Sequence, residues 1–344
     1  KRTMQVAYSE NDGANWTAMA STGLAGTAMP LCTIKPIDRG RRLLGLTNIR
    51  RPGETVEEKS NVIAQSLSAD GGLTWTPWRV ILDLPGLKPC EPEIVRSPDG
   101  RQLLCLLREN VRRVSLYMTS DDEGVTWSAP RPLPRSLNGD RHKARYAADG
   151  RLVICFRDTG ADSPTTTHFV AWVGYYGDLL ENREGLYRLK LLHSYAGNDC
   201  GYPGLERLPD GTFVATTYVK YRAGPELNSV VSTRFTLAET DARWTAATPA
   251  GDYEAYRQMA FSPADLIDAA VSGAAADANG DGASNLMAYA LGYGPWSALV
   301  HPEPMVWDGA LGLAFDRRRM AGVTYAVEVS SDLRLWQADD SLTR

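Results

Sequence analysis

Short apolar runs, each introduced by an Asp-Gly or Asp-x-Gly turn, recur along the first two thirds of the chain. Successive turns begin 50 to 61 residues apart. Asp-Gly before a run rich in β-forming residues is typical of a β-hairpin, so each run is predicted to be a strand. The runs are Leu43–Leu46, Leu103–Leu107, Leu152–Phe156 and Phe213–Ala215.

A second repeat, S-x-D-x-G-x-T-W, alternates with these turns. It occurs at Ser9–Trp16, Ser68–Trp75 and Ser120–Trp127, with Asn11 in place of Asp in the first copy. Asp or Asn can accept hydrogen bonds from its own turn, Gly supplies a left-handed backbone position, and Trp can fold back over the turn. The motif therefore predicts a second kind of hairpin turn in each repeat.

Two interleaved turn motifs at this period are typical of β-propeller blades. The S-x-D-x-G-x-T-W box resembles the Asp-box of the sialidase superfamily, and the resemblance covers residues 1–237. It implies an all-β, sialidase-like propeller of the six-bladed type. The first copy of the box begins at residue 9, whereas the family places a blade or more ahead of that box. We therefore expect an N-terminally incomplete ring of four to five blades. Residues 238–262 are predicted to be a linker and residues 263–344 a small α+β appendage.

Composition narrows the function classes. The 344 residues carry a net charge of −4 and no long apolar stretch, which argues against nucleic-acid binding and a transmembrane segment. The five cysteines are odd in number and include no CxxC, which argues against a zinc site. Cys105 and Cys155 lie within apolar runs and are predicted to be buried.

The sialidase resemblance also implies site residues. Glu91, then an Asp-Gly-Arg turn, then Arg108 and the third box follow the family order. The resemblance makes Glu91 the partner of the nucleophile, with Glu93 as the alternative on the same strand face, and makes Arg108 a carboxylate-binding residue. Tyr202 corresponds to the nucleophile, although Pro203 and Gly204, which follow it, depart from the family's Ser and Asp.

The rest of the family's site matches less well. A third arginine is expected 25–30 residues before Tyr202, but His168 stands near that position. Arg157 is the substitute candidate, and Arg145 and His142 are further candidate substrate-binding residues. The family's first arginine and its acid/base Asp are expected in a preceding N-terminal part.

These residue types suit one chemistry. Sialic acid carries a carboxylate on its anomeric carbon, and a neutral tyrosine activated by Glu avoids the repulsion that a carboxylate nucleophile would meet. Arginine binds carboxylates bidentately. The resemblance thus implies an exo-glycosidase that removes terminal sialic acid from glycoconjugates without a catalytic cofactor. The alternatives are a non-catalytic glycan-binding propeller and, less favoured, a structural scaffold.

The C-terminal third differs in composition. Residues from Pro263 predict a short capped helix. A loop similar to dockerin-like calcium modules follows, in which the candidate Ca²⁺ ligands are Asp277, Asn279, Asp281 and Asn285. The usual twelfth-position Glu is Ala288, which lowers or abolishes affinity. Residues 324–336 alternate like strands. Such appendages are found in many secreted bacterial hydrolases, so the resemblance implies an extracytoplasmic protein.

Overall fold

The computed structural model describes residues 3–25, 29–51, 53, 61–161, 163–225, 227–247, 253–296, 303–307, 310–314, 323, 328–329, 334 and 337–338. The chain divides into two compact units, Lys1–Thr240 and Asp241–Arg344. No helix in the described part of the chain is both long and apolar enough to cross a membrane.

The first unit consists of successive antiparallel sheets in which strands pair in chain order. A two-stranded sheet contains β1 (Thr3–Val6) and β2 (Ala20–Ala25). The first four-stranded sheet contains β3 (Thr33–Ile37), β4 (Arg42–Ile49), β5 (Val62–Ser68) and β6 (Arg79–Leu82). The second contains β7 (Pro89–Arg96), β8 (Leu103–Glu109), β9 (Leu116–Ser120) and β10 (Arg131–Pro132).

The third four-stranded sheet contains β11 (Gly139–Tyr146), β12 (Leu152–Asp158), β13 (Phe169–Gly174) and β14 (Tyr187–Leu192), with the short helix α1 (Tyr176–Leu180) between its last two strands. The fourth sheet has three strands, β15 (Cys200–Arg207), β16 (Phe213–Val219) and β17 (Ser229–Phe235). Strand β11 packs against β7 on one side and β15 on the other, and β7 packs against β4. The three four-stranded sheets and the three-stranded sheet are therefore blades of a β-propeller. The described chain forms four blades, fewer than the six expected for the sialidase-like type.

The S-x-D-x-G-x-T-W boxes form the predicted turns through local hydrogen bonds. In the second box, Asp70 Oδ1 accepts from the Ser68 hydroxyl at 2.8 Å and from the Thr74 N–H at 2.9 Å. Gly72 adopts φ 97°, and the Trp75 indole donates to the Gly72 carbonyl at 2.8 Å. The turn is thus determined almost entirely by residues within four positions of Asp70.

The first box keeps this bonding with Asn in place of Asp. Asn11 Oδ1 accepts the Asn15 N–H at 2.9 Å, which confirms that Asn caps the same backbone group. Trp16 lies over the turn and donates to the Gly13 carbonyl at 3.1 Å, yet its side chain is exposed. In this copy the indole therefore packs on the turn without entering a core.

The apolar runs form the interior between blades. Leu104 and Leu106 of β8 meet Phe156 and Trp172 of the third sheet in one buried cluster. Cys105 and Cys155 lie fully buried on the opposite faces of the same strands, and none of the five cysteines forms a disulfide. The prediction that these two cysteines are buried is confirmed.

The second unit is mainly helical over its described residues. Its elements are α2 (Leu237–Ala247), which begins in the first unit, α3 (Tyr253–Ala260), α4 (Pro263–Leu266), α5 (Ala269–Ser272), α6 (Asn285–Ala290), and the paired strands β18 (Glu303–Trp307) with β19 (Ala310–Ala314) and β20 (Glu328–Val329) with β21 (Gln337–Ala338). The predicted linker at 238–262 thus contains two helices, since its alanines and charged residues are good helix formers.

Two other expectations for the second unit meet different outcomes. The capped helix at Pro263 is confirmed, because the Ser262 side chain accepts from the Asp265 N–H and Asp265 bonds back to Ser262. Of the strands predicted at 324–336, only Glu328–Val329 is described as a strand, and most of the remaining positions lie outside the described residues.

Candidate functional site

Three consecutive blades carry the same irregularity in their first strand. Strands β7, β11 and β15 each shift register against the neighbouring strand. At the shift, Glu91, Arg141 and Tyr202 adopt φ values of 53°, 64° and 52°. This left-handed conformation is uncommon for non-glycine residues, and bulges of this kind redirect side chains. The repetition places one functional side chain per blade at an equivalent position.

The residues beside the bulges meet across each pair of inner strands. Asp140 faces Arg157 across β11 and β12, as Cys90 faces Arg108 across β7 and β8. In the fourth sheet the equivalent partner on β16 is Tyr218, opposite Gly201. The blade geometry therefore adds Asp140 to the site.

An alternating network of charges joins the second and third blades. Arg108 contacts Glu91 through Nη1 at 3.0 Å and Asp140 through Nε at 2.8 Å. Arg141 Nη2 lies 2.7 Å from the other oxygen of Glu91, and Arg157 pairs with Asp140. All five side chains are at least four-fifths buried. Three guanidinium groups against two carboxylates leave one positive charge in excess, which favours an anionic ligand.

Tyr202 joins this network through Arg141. The Arg141 guanidinium carbon lies 3.0 Å from the centroid of the Tyr202 ring, a cation–π arrangement. Tyr202 is 51% exposed, so its ring is available to a ligand. Over the described residues, no hydrogen bond connects the Tyr202 hydroxyl to Glu91. Partial burial raises the pKa of Tyr202, the Arg141 charge opposes that increase, and Glu91 adds to it.

Glu93 belongs to a separate contact. The bulge between Cys90 and Glu93 breaks the strand alternation, so Glu91 and Glu93 have different surroundings, which corrects the expectation that they share a face. Glu93 is 1% exposed and pairs with Lys143 at 2.9 Å and Lys35 at 3.6 Å. It is a buried structural ion pair, so Glu91 is the better candidate for the site.

Two of the other candidate arginines have their own partners. Arg157 lies in the cluster, but it donates to Asp140 and to the carbonyl of Cys200, the latter at 2.9 Å. Its role is therefore to hold β11 and β15 together, and its donors are occupied. Arg145 lies farther along β11 and forms an ion pair with Glu206 at 2.6 Å, outside the cluster.

The two candidate histidines also lie outside the cluster. His142 is 5% exposed, stacks on Phe156 and bonds the Leu137 carbonyl through Nε2 at 2.8 Å. Burial lowers its pKa, which favours the neutral ring. His168 lies directly before β13, where its ring centroid is 4.1 Å from that of His193. Neither makes a contact with Glu91 among the described residues.

The predicted calcium loop is closed by its own hydrogen bonds. Asp277 accepts the backbone N–H groups of Gly280 and Gly282, each at 2.8 Å. Asn285 is buried, and its amide donates to two carbonyls of the preceding chain, which makes it a structural anchor. No group of three or more Asp, Glu, His or Cys side chains suited to a metal exists among the described residues. The loop itself holds only two aspartates, Asp277 and Asp281, beside Asn279, so Ca²⁺ binding stays a prediction.

A sequence signal for Arg141 existed but lies outside the family motifs. Each of the three bulge residues stands eight positions before the Asp of the next Asp-Gly turn. Counting back from the turn at Asp149 therefore identifies Arg141 as the equivalent of Glu91 and Tyr202. Asp140, directly before it, would have followed from the same count.

Comparisons with known proteins agree with the fold. A BNR repeat-like domain model matches residues 1–213. A search of curated proteins finds no match. A crystal structure of a protein of unknown function from Dyadobacter fermentans has a TM-score of 0.53 and 16% identity, over 67% of this chain and 63% of that chain. This similarity shows a shared propeller fold.

Two further solved structures are more distant. NanB sialidase from Streptococcus pneumoniae gives a TM-score of 0.45 and 16% identity, over 68% of this chain and 36% of that chain. An exo-β-1,3-galactanase from Phanerochaete chrysosporium gives 0.42 and 11%, over 67% and 51%. The present chain thus spans about a third to two thirds of the length of these proteins.

Proposed function

Because the chain belongs to the BNR repeat-like domain family, we propose that it is an exo-glycosidase of the sialidase type, which releases terminal sialic acid from glycoconjugates. The contact of Glu91 with Arg108, and the link of both to Tyr202 through Arg141, carries this proposal. The four residues come from three blades. By resemblance, Glu91 corresponds to the family's base, Arg108 to its carboxylate-binding arginine and Tyr202 to its nucleophile.

The charge of the cluster supports an acidic sugar as the substrate. Its excess positive charge attracts an anion, and Arg108 offers a planar fork to a carboxylate. The desolvated surroundings strengthen such pairing, since the Arg108 side chain is 19% exposed. A neutral sugar would gain little from this arrangement, so we expect a clear preference for sialosides over uncharged glycosides.

Tyr202 is the proposed nucleophile. Partial burial raises its pKa, so the phenol is neutral at neutral pH and must lose its proton during attack. In the proposed step, the phenol oxygen bonds to the anomeric carbon, the bond to the leaving oxygen breaks, and Glu91 takes the phenol proton. Both Glu91 oxygens are engaged by arginines, so Arg141 Nη2 would have to release one of them while the guanidinium stays over the Tyr202 ring.

The test uses an aryl sialoside whose phenolate leaves without acid assistance. Tyr202→Phe should reduce kcat at least ~100-fold, the lower end of the effect of removing a group that acts in the transition state. Tyr218→Phe is the matched control, because that ring is half-buried at a centroid distance of 6.1 Å from Tyr202. Arg108→Lys should raise KM for the sialoside because the bidentate fork is lost. Equal rates for Tyr202→Phe and Tyr218→Phe would refute the assignment.

A non-catalytic glycan-binding propeller is the second candidate. It is favoured by the engagement of both Glu91 oxygens, one by Arg108 and the other by Arg141, which occupies the proposed base in this structure. If the protein binds sialylated glycans in calorimetry but leaves the aryl sialoside intact over hours, this candidate replaces the first.

A further inference from the structure

Arg141 lies between the two groups proposed to act together. Its Nη2 contacts Glu91 at 2.7 Å, and its guanidinium lies over the Tyr202 ring at 3.0 Å. The neighbouring Gly201 leaves room for it, since a Cβ there would come within 3.2 Å of Arg141 Cδ. The lack of a side chain at Gly201 therefore leaves space for Arg141 beside the Tyr202 ring.

The other two nitrogens of Arg141 also bear on its role. Nε and Nη1 are buried and have no hydrogen-bond partner among the described residues. Buried guanidinium donors are nearly always bonded, so an unpaired pair at a candidate site calls for an explanation. Here the guanidinium is held by one ion pair and by the aromatic face rather than by a full set of hydrogen bonds.

We propose that Arg141 is a positioning residue for Tyr202, whose ring it holds beside the cluster of Glu91, Arg108 and Asp140. Its charge in contact with the ring also favours the phenolate form of Tyr202. The effect on Tyr202 is a property of the folded protein. Only its consequence for turnover rests on the proposed function. No motif of the sialidase resemblance assigns Arg141, which replaces neither Glu91 nor Arg108.

The charges around Tyr202 oppose one another. Arg141 and Arg108 stabilise the phenolate, whereas Glu91 disfavours it, and burial disfavours it most. Tyr218 on β16 is the adjacent phenol. Because Arg141 is the closest cation and opposes burial most strongly, its removal should raise the pKa of Tyr202 further.

The test titrates Tyr202 in the full chain by carbon NMR of proteins labelled at tyrosine Cζ, with Tyr202→Phe identifying the signal. Arg141→Gln should raise the Tyr202 pKa by about 1 unit or more, as expected for removing a cation in contact with the group. Arg141→Lys should restore most of the difference. The matched control is Arg145→Gln on the same strand, whose partner is Glu206, and it should leave the signal unchanged.

The outcomes are separable from those of the proposed function. If Arg141→Gln shifts the Tyr202 titration no more than Arg145→Gln does, the positioning role is refuted even when the wild type hydrolyses the aryl sialoside. If the titration shifts as expected but the wild type hydrolyses no sialoside, the positioning role stands and the proposed function fails. With an active wild type, Arg141→Gln should lower kcat at least ~10-fold. It should also raise KM, because it removes the excess positive charge of the cluster, and Arg141→Lys should recover part of both effects.

Discussion

Replacing Asp140 by Asn should destabilise the propeller more than the loss of an ordinary ion pair. Asp140 is the carboxylate shared by Arg108 and Arg157, and it is 8% exposed. The amide keeps an oxygen but loses the charge, so two buried guanidinium groups lose a common counter-ion. The excess positive charge of the cluster would rise from one to two.

The magnitude follows from the burial of the three side chains. Removing one partner of a buried pair costs about 3–5 kcal/mol, because the other charge is left uncompensated. Since Asn can still accept a hydrogen bond, we expect the lower end, about 3 kcal/mol. For a unit of this size, each kcal/mol corresponds to about 2–4 °C in Tm. The transition of the first unit should therefore fall by roughly 6–12 °C.

Calorimetry of the full chain measures this shift, and urea unfolding provides the free energy. Asp149→Asn is the matched control, because Asp149, in the turn between β11 and β12, forms an ion pair with Arg151 at 2.8 Å with half of its side chain exposed. That substitution should cost less than about 1 kcal/mol. If Asp140→Asn and Asp149→Asn lower Tm equally, the buried charge network does not stabilise the propeller and the reasoning is wrong.

Two further predictions concern turns and packing. Gly139→Ala should cost about 1–3 kcal/mol in urea unfolding, because its Cβ would collide with the Phe156 ring and a backbone carbonyl; Gly204→Ala, whose nearest neighbour would be 3.9 Å away, should be tolerated. Hydrogen bonds from a threonine hydroxyl and its backbone N–H lower the pKa of Asp70 and of Asp122 from 3.8 to about 2. Each carboxylate therefore stabilises the fold above pH ~4, and this stabilisation is lost as the pH falls through about 2. The Tm difference between wild type and Asp122→Ala should accordingly shrink between about pH 4 and 2, and a constant difference would contradict this account.

Much of the fold could be predicted from the sequence because its turns are local. The boxes at Asp70 and Asn11 form bonds to groups two to four positions away, so the residues that specify the turn are adjacent in the chain. The period of the turns gave the blades, and the apolar runs between them gave the buried strands. The pairing of Glu91 with Arg108 was also accessible, since the two lie 17 residues apart on neighbouring strands.

The tertiary structure decided which charges meet. Glu91 and Glu93 are alike in sequence, but a bulge directs one to Arg108 and the other to Lys143, 50 residues further on. Arg141 reaches Tyr202 only because adjacent blades place equivalent bulges side by side. Such contacts depend on strand register and on the packing of blades, in which a shift of one residue exchanges the faces of a strand. The sequence by itself therefore determined the repeating unit, whereas the packing of one unit on the next determined the site.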